Sequence, residues 1–256
     1  MVGGALIVRG DSVVAPALPA RPRVYRSASA EEHALALARA IARRLRIALR
    51  LRGQALLALS GGRSPLPMLR WLRRQPLPWE RVIVTQIDER CVPADHPDSN
   101  ARLLREHLLQ EAAAQARWAP LCEAETMAVD LDDAALDRLA AGASARLAAL
   151  PWPLDVAVLG MGEDGHTASL FADAPGLAQA LESDGPVGWT RPAAAPHARL
   201  TLTLPTLLRA GALMLSLQGA AKQAVYARAC QRPDPALPVS LVLHGARMPV
   251  QVWVTD

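Results

Sequence analysis

Three short segments of this chain, two of them glycine-rich, place acids, a cation or an imidazole directly after an apolar run. The first is Ser60-Gly61-Gly62-Arg63-Ser64-Pro65. Its two glycines let the backbone close on an anion, and a helix beginning near Pro65 would add unpaired N–H groups and a positive dipole end, which suits a phosphate. The spacing is not that of a Walker loop, and without a GxSxG pattern Ser60 does not read as a nucleophile. An ordinary tight turn accounts for this segment equally well when it is taken alone. The second segment is Asp88-Glu89-Arg90-Cys91-Val92-Pro93, followed by Asp98-Ser99-Asn100. Adjacent acids and an arginine there either hold polar groups of a ligand or form a structural ion pair. The third is Gly160-Met161-Gly162-Glu163-Asp164-Gly165-His166. As a loose GxGxxG it is weak evidence for a dinucleotide. More telling are Asp164 and His166 on either side of a glycine, since an imidazole takes a proton from water near neutral pH and a nearby carboxylate orients it.

These segments need a frame that brings them together. Residues 30–51 carry apolar positions at helical spacing behind Ser29, with Glu31 and Glu32 at the positive end of the helix. Ala55–Leu59, Val82–Ile87 and Asp155–Leu159 read as buried strands, and Leu200–Leu204, Ala212–Leu217 and Val250–Thr255 as further strands. Helices are expected after Pro65, over about 100–110 behind Ser99, over 130–148 and near 219–230. Strands separated by helices predict an α/β fold: a mostly parallel, doubly wound, Rossmann-like sheet with helices on both faces. In such sheets ligands lie beyond the carboxyl ends of the strands, where all three segments fall. The Pro-rich stretch 186–196 and residues 113–128 read as loops, and residues 1–28 as a variable leading segment of one domain covering 1–256.

Bulk properties narrow the function. The 256 residues are 51% hydrophobic and 20% charged, enough apolar matter for a sizeable core. A net charge of +4 without a basic patch carrying stacking aromatics argues against a nucleic-acid partner. The run Arg43, Arg44, Arg46, Arg50 and Arg52 reads as a solvated helix face. Three scattered cysteines without a CxxC pair predict neither disulfides nor a thiolate metal site, and suit a reducing cytoplasm. No stretch is long and apolar enough to suggest a membrane partner. Without HExxH, paired histidine spacing or a cysteine cluster, no metal is expected.

Taken together, SGGRSP, DERCVPADHPDSN and LGMGEDGHTASLF, in this order, closely resemble the 6-phosphogluconolactonase family. The likeness continues through Arg199–Pro205, Gly219–Lys222 and Leu237–Leu241, spanning roughly residues 30–256. It implies hydrolysis of 6-phospho-D-glucono-1,5-lactone in the pentose phosphate pathway, without metal or organic cofactor. Under that resemblance His166 is the general base; Asp164 orients it or binds a substrate hydroxyl. Arg90 steadies the developing oxyanion or the sugar. Gly61, Gly62, Arg63, Arg199 and Lys222, the chain's one lysine, hold the phosphate. Asn100 contacts sugar hydroxyls or caps the following helix. The related glucosamine-6-phosphate deaminases differ after the histidine, where this chain reads Thr167-Ala168-Ser169-Leu170-Phe171. A sugar-phosphate-sensing domain would usually carry a helix-turn-helix segment, for which the first 30 residues are too short and Pro-rich. The expected state is a monomer or weak homo-oligomer.

Overall fold

A computed structural model describes residues 21–122, 131–193 and 195–256. Among them the strands are β1 (Arg23–Arg26), β2 (Ala55–Leu59), β3 (Val82–Gln86), β4 (Asp88–Arg90), β5 (Arg117–Trp118), β6 (Val156–Leu159), β7 (Val187–Thr190), β8 (Arg199–Leu202), β9 (Leu213–Gln218) and β10 (Gln251–Thr255). The helices are α1 (Ala30–Arg52), α2 (Leu66–Arg73), α3 (Asn100–His107), α4 (Asp133–Leu147), α5 (Leu177–Glu182), α6 (Leu204–Leu208), α7 (Ala220–Ala229) and α8 (Pro238–Gly245). No helix among the described residues is long and apolar enough to cross a membrane.

The main sheet has the order β1-β10-β9-β6-β2-β3-β5, with every pairing parallel. Parallel strands buried on both faces must be apolar on both faces, and the side-chain period of two sorts them. Leu57, Leu59, Val84 and Val158 join the layer beneath α1, α2 and α3. Leu56, Ala58, Ile83, Ala157 and Leu159 join the opposite layer, against α4, α6, α7 and α8. This is the doubly wound arrangement read from the sequence. From β2 the chain proceeds outward to β3 and β5; from β6 it proceeds the other way, to β9 and β10. The two strands lie side by side, so the loops leaving them part company and open a crevice.

The helix starts follow local chemistry. Ser29 caps α1 by accepting from Glu32 N–H at 3.2 Å, while Glu32 Oε2 accepts from Ala28 N–H at 2.7 Å, a reciprocal capping box. Gly53, at φ +74°, closes the same helix through a bond to the Leu49 carbonyl. Arg43, Arg50 and Arg52 lie exposed, as expected of a solvated face.

Several elements depart from expectation. Within the segment 1–28, residues 23–26 form an edge strand, with Tyr25 stacked on Trp253 at 4.5 Å. Its four exposed residues, two of them arginines, hide it from a search for apolar runs. Asp88–Arg90, expected to open a loop, is instead a strand of a second, antiparallel sheet ordered β4-β8-β7. The third member, β7, lies inside the Pro-rich stretch 186–196. Strand β8 stops at Leu202 instead of Leu204, because Pro205 cannot donate to a ladder; Thr203 caps α6 there. Of the loop expected at 113–128, residues 123–128 lie outside the described residues, as does residue 130 of the helix expected at 130–148.

The second sheet is tied to the first by Glu89, which is only 2% exposed. Its carboxylate accepts hydrogen bonds from Gln86 Nε2 (2.5 Å), Ser99 Oγ (3.2 Å) and the backbone N–H groups of Arg90 (2.7 Å), Asn100 (2.8 Å) and Ala101 (2.6 Å). Burial pushes this carboxyl above its usual range, against the pull of those three N–H groups. The carboxylate thus satisfies the first donors of α3 and holds Arg90 and Asn100 in place. Glu89→Ala would leave those donors buried and unpaired, and is expected to lower unfolding stability by roughly 3 kcal/mol. Urea denaturation of the two proteins checks this.

Candidate active site

At the crevice, the loop after β2 and the loop after β6 face each other across a cleft with two lobes. The larger, about 260 Å³, is lined in part by Gly62, Arg63, Gln218, Lys222 and His33. The smaller, about 100 Å³, is lined in part by Asp88, Asn100 and Arg199. Ser60, Gly61, Arg90, Gly160 and His166 border both.

Gly61 must be glycine, because a Cβ there would fall 1.8 Å from Asn100 Oδ1. Gly62 turns the chain at φ +92°, and α2 begins at Leu66 behind Pro65, as the motif predicted. Across the larger lobe Lys222 sits in the first turn of α7, behind Gly219 at φ +89°. Among the described residues the Lys222 ammonium has no hydrogen bond or ion pair, so its charge remains for a ligand.

In the loop after β6, His166 Nδ1 and Asp164 Oδ1 lie 2.6 Å apart. An ionised carboxylate can only accept, so Nδ1 carries the proton and Nε2, the basic nitrogen, is left for the cleft. Asp164 also accepts from His166 N–H at 3.2 Å. Burial alone would raise the Asp164 carboxyl, but the His166 charge and hydrogen bonds outweigh it and hold the group below the usual carboxylate range. Gly162 makes this contact possible: a Cβ would meet Asp164 Oδ1 and His166 Nδ1, each at 2.3 Å. The imidazole stacks on Phe171 with centroids 4.1 Å apart and an angle of 23°. From below, the Val239 N–H donates to the Gly165 carbonyl at 3.0 Å, so the start of α8 props the loop.

In the smaller lobe, Asn100 Nδ2 donates to the Asp88 carbonyl at 2.8 Å, while Ser169 Oγ donates to Asp88 Oδ2 at 2.5 Å. Ser99, not Asn100, caps α3 with its side chain, which settles one of the two readings of Asn100. Arg90 Nη1 donates to the Asp98 carbonyl at 2.6 Å. The Arg199 guanidinium lies over the Phe171 ring at 5.1 Å. Burial pulls Arg199 below its ordinary pKa, with the Asp88 carboxylate opposing. Buried polar atoms without a protein partner collect around the cleft: Ser60 Oγ, Arg90 Nε, Asn100 Oδ1 and Arg199 Nε. Buried polar atoms are seldom left so, and these four belong to residues that border the cleft.

All nine residues named from the sequence therefore border one cleft or its walls. Lys222, Gly62 and Arg63 line the larger lobe, whereas Arg199 lines the smaller one with Asn100. Phe171 enters the sequence motif only as its last residue; its place against both His166 and Arg199 had no sequence signal. The same holds for His33, buried in the apolar face of α1 with Nε2 2.8 Å from Ser216 Oγ, and pushed by burial toward the neutral form. Cys91, beside Arg90, is no nucleophile: burial pushes its thiol up to about 12.

The depressed Asp164 carboxyl fixes a sign. A carboxyl lowered by folding contributes stability above its unfolded pKa and loses it as pH falls through its folded one. The stability advantage of the wild type over Asp164→Asn should therefore shrink as pH falls below about 4. Urea unfolding of both proteins along a pH series measures it; a gap that widens toward acid would contradict the assignment.

Comparison with known proteins follows the same lines. The sequence pattern of the family described as glucosamine-6-phosphate isomerases/6-phosphogluconolactonase matches residues 28–253. A 6-phosphogluconolactonase of Mesorhizobium japonicum is 44% identical over 239 residues, covering 93% of each chain. One from Pseudomonas putida is 43% identical over 243 residues, covering 92% of this chain and 95% of its own. Among solved structures, a 6-phosphogluconolactonase from Shewanella baltica superposes with a TM-score of 0.86 at 35% identity, covering 93% of this chain and 100% of that one. With its three turns, its doubly wound sheet and its cleft all inside the matched region, the chain belongs to the glucosamine-6-phosphate isomerase/6-phosphogluconolactonase family.

Proposed function

We propose that this chain hydrolyses 6-phospho-D-glucono-1,5-lactone to 6-phosphogluconate. The observation that carries the reading is the Asp164–His166 contact of 2.6 Å at a cleft also lined by Lys222, which has no partner among the described residues. The phosphate occupies the larger lobe, against Lys222, Arg63 and the backbone of Gly61 and Gly62. Lysine supplies a point charge, and the glycine loop supplies close backbone approach. The lactone ring then reaches toward His166, with Asn100 and Arg199 meeting its hydroxyls from the smaller lobe.

His166 Nε2 takes a proton from water as the water oxygen bonds to the lactone carbonyl carbon. Negative charge develops on the carbonyl oxygen, and Arg90, already anchored through Asp98, is the donor best placed to meet it. The intermediate collapses by breaking the bond between that carbon and the ring oxygen, which receives the proton held by His166. The product is an open-chain acid with a free hydroxyl, and the imidazole returns neutral. Asp164 keeps the ring in the productive tautomer and offsets its transient charge. The stack on Phe171 restricts ring rotation. A strained, activated ester requires little more than a base, an oxyanion donor and positioning. The unbridged cysteines suit a reducing cytoplasm, where we place the protein.

The test is hydrolysis of freshly made lactone, read against the uncatalysed rate. Wild-type protein should accelerate it, and His166→Ala should lose about a hundredfold or more while keeping its circular dichroism spectrum. Near-normal turnover in the variant would remove His166 from the role of base. A wild-type rate equal to the uncatalysed one would remove the lactonase activity itself.

A further inference from the structure

Beside the cleft, and with no part in the reaction just described, the loop between β4 and α3 meets the turn before β8. Three side chains with metal-binding atoms converge there: His96, Asp98 and His197, their candidate ligand atoms all within 4.8 Å of one another. We propose that these three residues form a Zn²⁺ site that clamps the two segments together.

The geometry is near what such an ion requires. Zn²⁺ binds imidazole nitrogen and carboxylate oxygen at about 2.1 Å in a tetrahedron, which places neighbouring ligand atoms about 3.4 Å apart. His197 Nε2 lies 3.1 Å from Asp98 Oδ2, and His96 Nδ1 lies 3.9 Å from the same oxygen. The first edge must open by about 0.3 Å and the second close by about 0.5 Å, while the edge between the two imidazole nitrogens, within 4.8 Å, must draw in toward the same spacing. In the ion-free form the His197 ring shares a proton with Asp98 Oδ2, and Zn²⁺ takes the place of that proton. His96 Nδ1 accepts from the Asp98 N–H at 3.1 Å, so it presents a lone pair, not a proton, on this side; the ion competes with that long bond. The rings meet edge to face with centroids 5.4 Å apart.

The donor set selects the metal. Two imidazoles and one carboxylate suit Zn²⁺, whereas Ca²⁺ and Mg²⁺ prefer oxygen throughout. Three protein ligands leave a fourth position for water. The side chains are 37% (His96), 49% (Asp98) and 29% (His197) exposed, so an ion can enter. His197 also borders a hollow of about 450 Å³ at the surface. The nearby Arg90 guanidinium engages Asp98 through its backbone carbonyl, which leaves the carboxylate to the metal. His197 is held at φ +72°, a left-handed conformation that only its fixed surroundings maintain. Its neighbour two residues on, Arg199, lines the cleft, so a bound ion would brace the walls that carry Arg90 and Arg199.

Calorimetric titration of the untagged, chelator-treated full chain with Zn²⁺ tests the site, with Co²⁺ as a visible-absorption probe. One equivalent should bind to the wild type and equally to His166→Ala. His96→Ala and His197→Asn, the latter chosen because asparagine tolerates the left-handed backbone, should each weaken binding by at least about tenfold. Circular dichroism verifies that each variant is folded, and Asp98→Asn replaces either one that is not. No saturable binding to the wild type would overturn the proposal. So would affinity unchanged in the ligand variants, or affinity lost in His166→Ala, which would place the ion at the catalytic histidine.

Discussion

Strands β2 and β6 pair in parallel at the centre of the sheet and send the chain in opposite directions. That reversal is the constraint on which the remaining structure depends. With helices packed on both faces, the loops at the carboxyl ends of these two strands have no element between them, and the space becomes the cleft. Neither loop could serve with larger residues at its turning points. Gly61 lies against Asn100 and Gly162 against the Asp164–His166 pair, so each glycine is kept small by a functional neighbour and not by the turn alone.

The cleft is polarised by what holds each wall. One wall is backbone and cation: the glycine loop before α2 and Lys222 at the start of α7. The other is a buried polar network centred on Asp88 and Glu89, with Arg90, Asn100, Ser169 and Arg199 around it. Such networks are rigid when satisfied and costly when broken. Among the described residues, Arg90 Nε, Asn100 Oδ1 and Arg199 Nε of this network have no protein partner, and all three residues border the cleft. Between the two walls, Phe171 stacks on the His166 ring and meets Arg199 as well, so the only phenylalanine of the chain links the imidazole to the guanidinium beyond it.

The main strands and the two glycine turns were legible in the sequence because they obey local rules. A fully apolar run of five residues ended by Ser-Gly-Gly has few alternatives, and Ser29 with Glu32 announces its helix. The resemblance then supplied roles that no spacing rule could. What stayed hidden was decided by pairing across long separations. Asp88–Arg90 becomes a strand only because residues 199–201 lie beside it. Val187–Thr190 is a strand despite the flanking prolines, and Arg23–Arg26 pairs as an exposed edge. Strand β8, which carries Arg199 to the smaller lobe, belongs to the second sheet. His96, Asp98 and His197 were equally invisible, since about a hundred residues separate the last from the first two.

We propose that the substrate lies with its phosphate toward Lys222 and the glycine loop and its carbonyl carbon toward His166. A crystal structure of this chain with 6-phosphogluconate would show that direction. The expected result is phosphate oxygens within hydrogen-bond reach of Lys222 Nζ and the Gly61–Gly62 backbone, with the product carboxylate beside His166 Nε2. A phosphate held by Arg199 in the smaller lobe, with Lys222 untouched and the carboxylate turned away from His166, would contradict it.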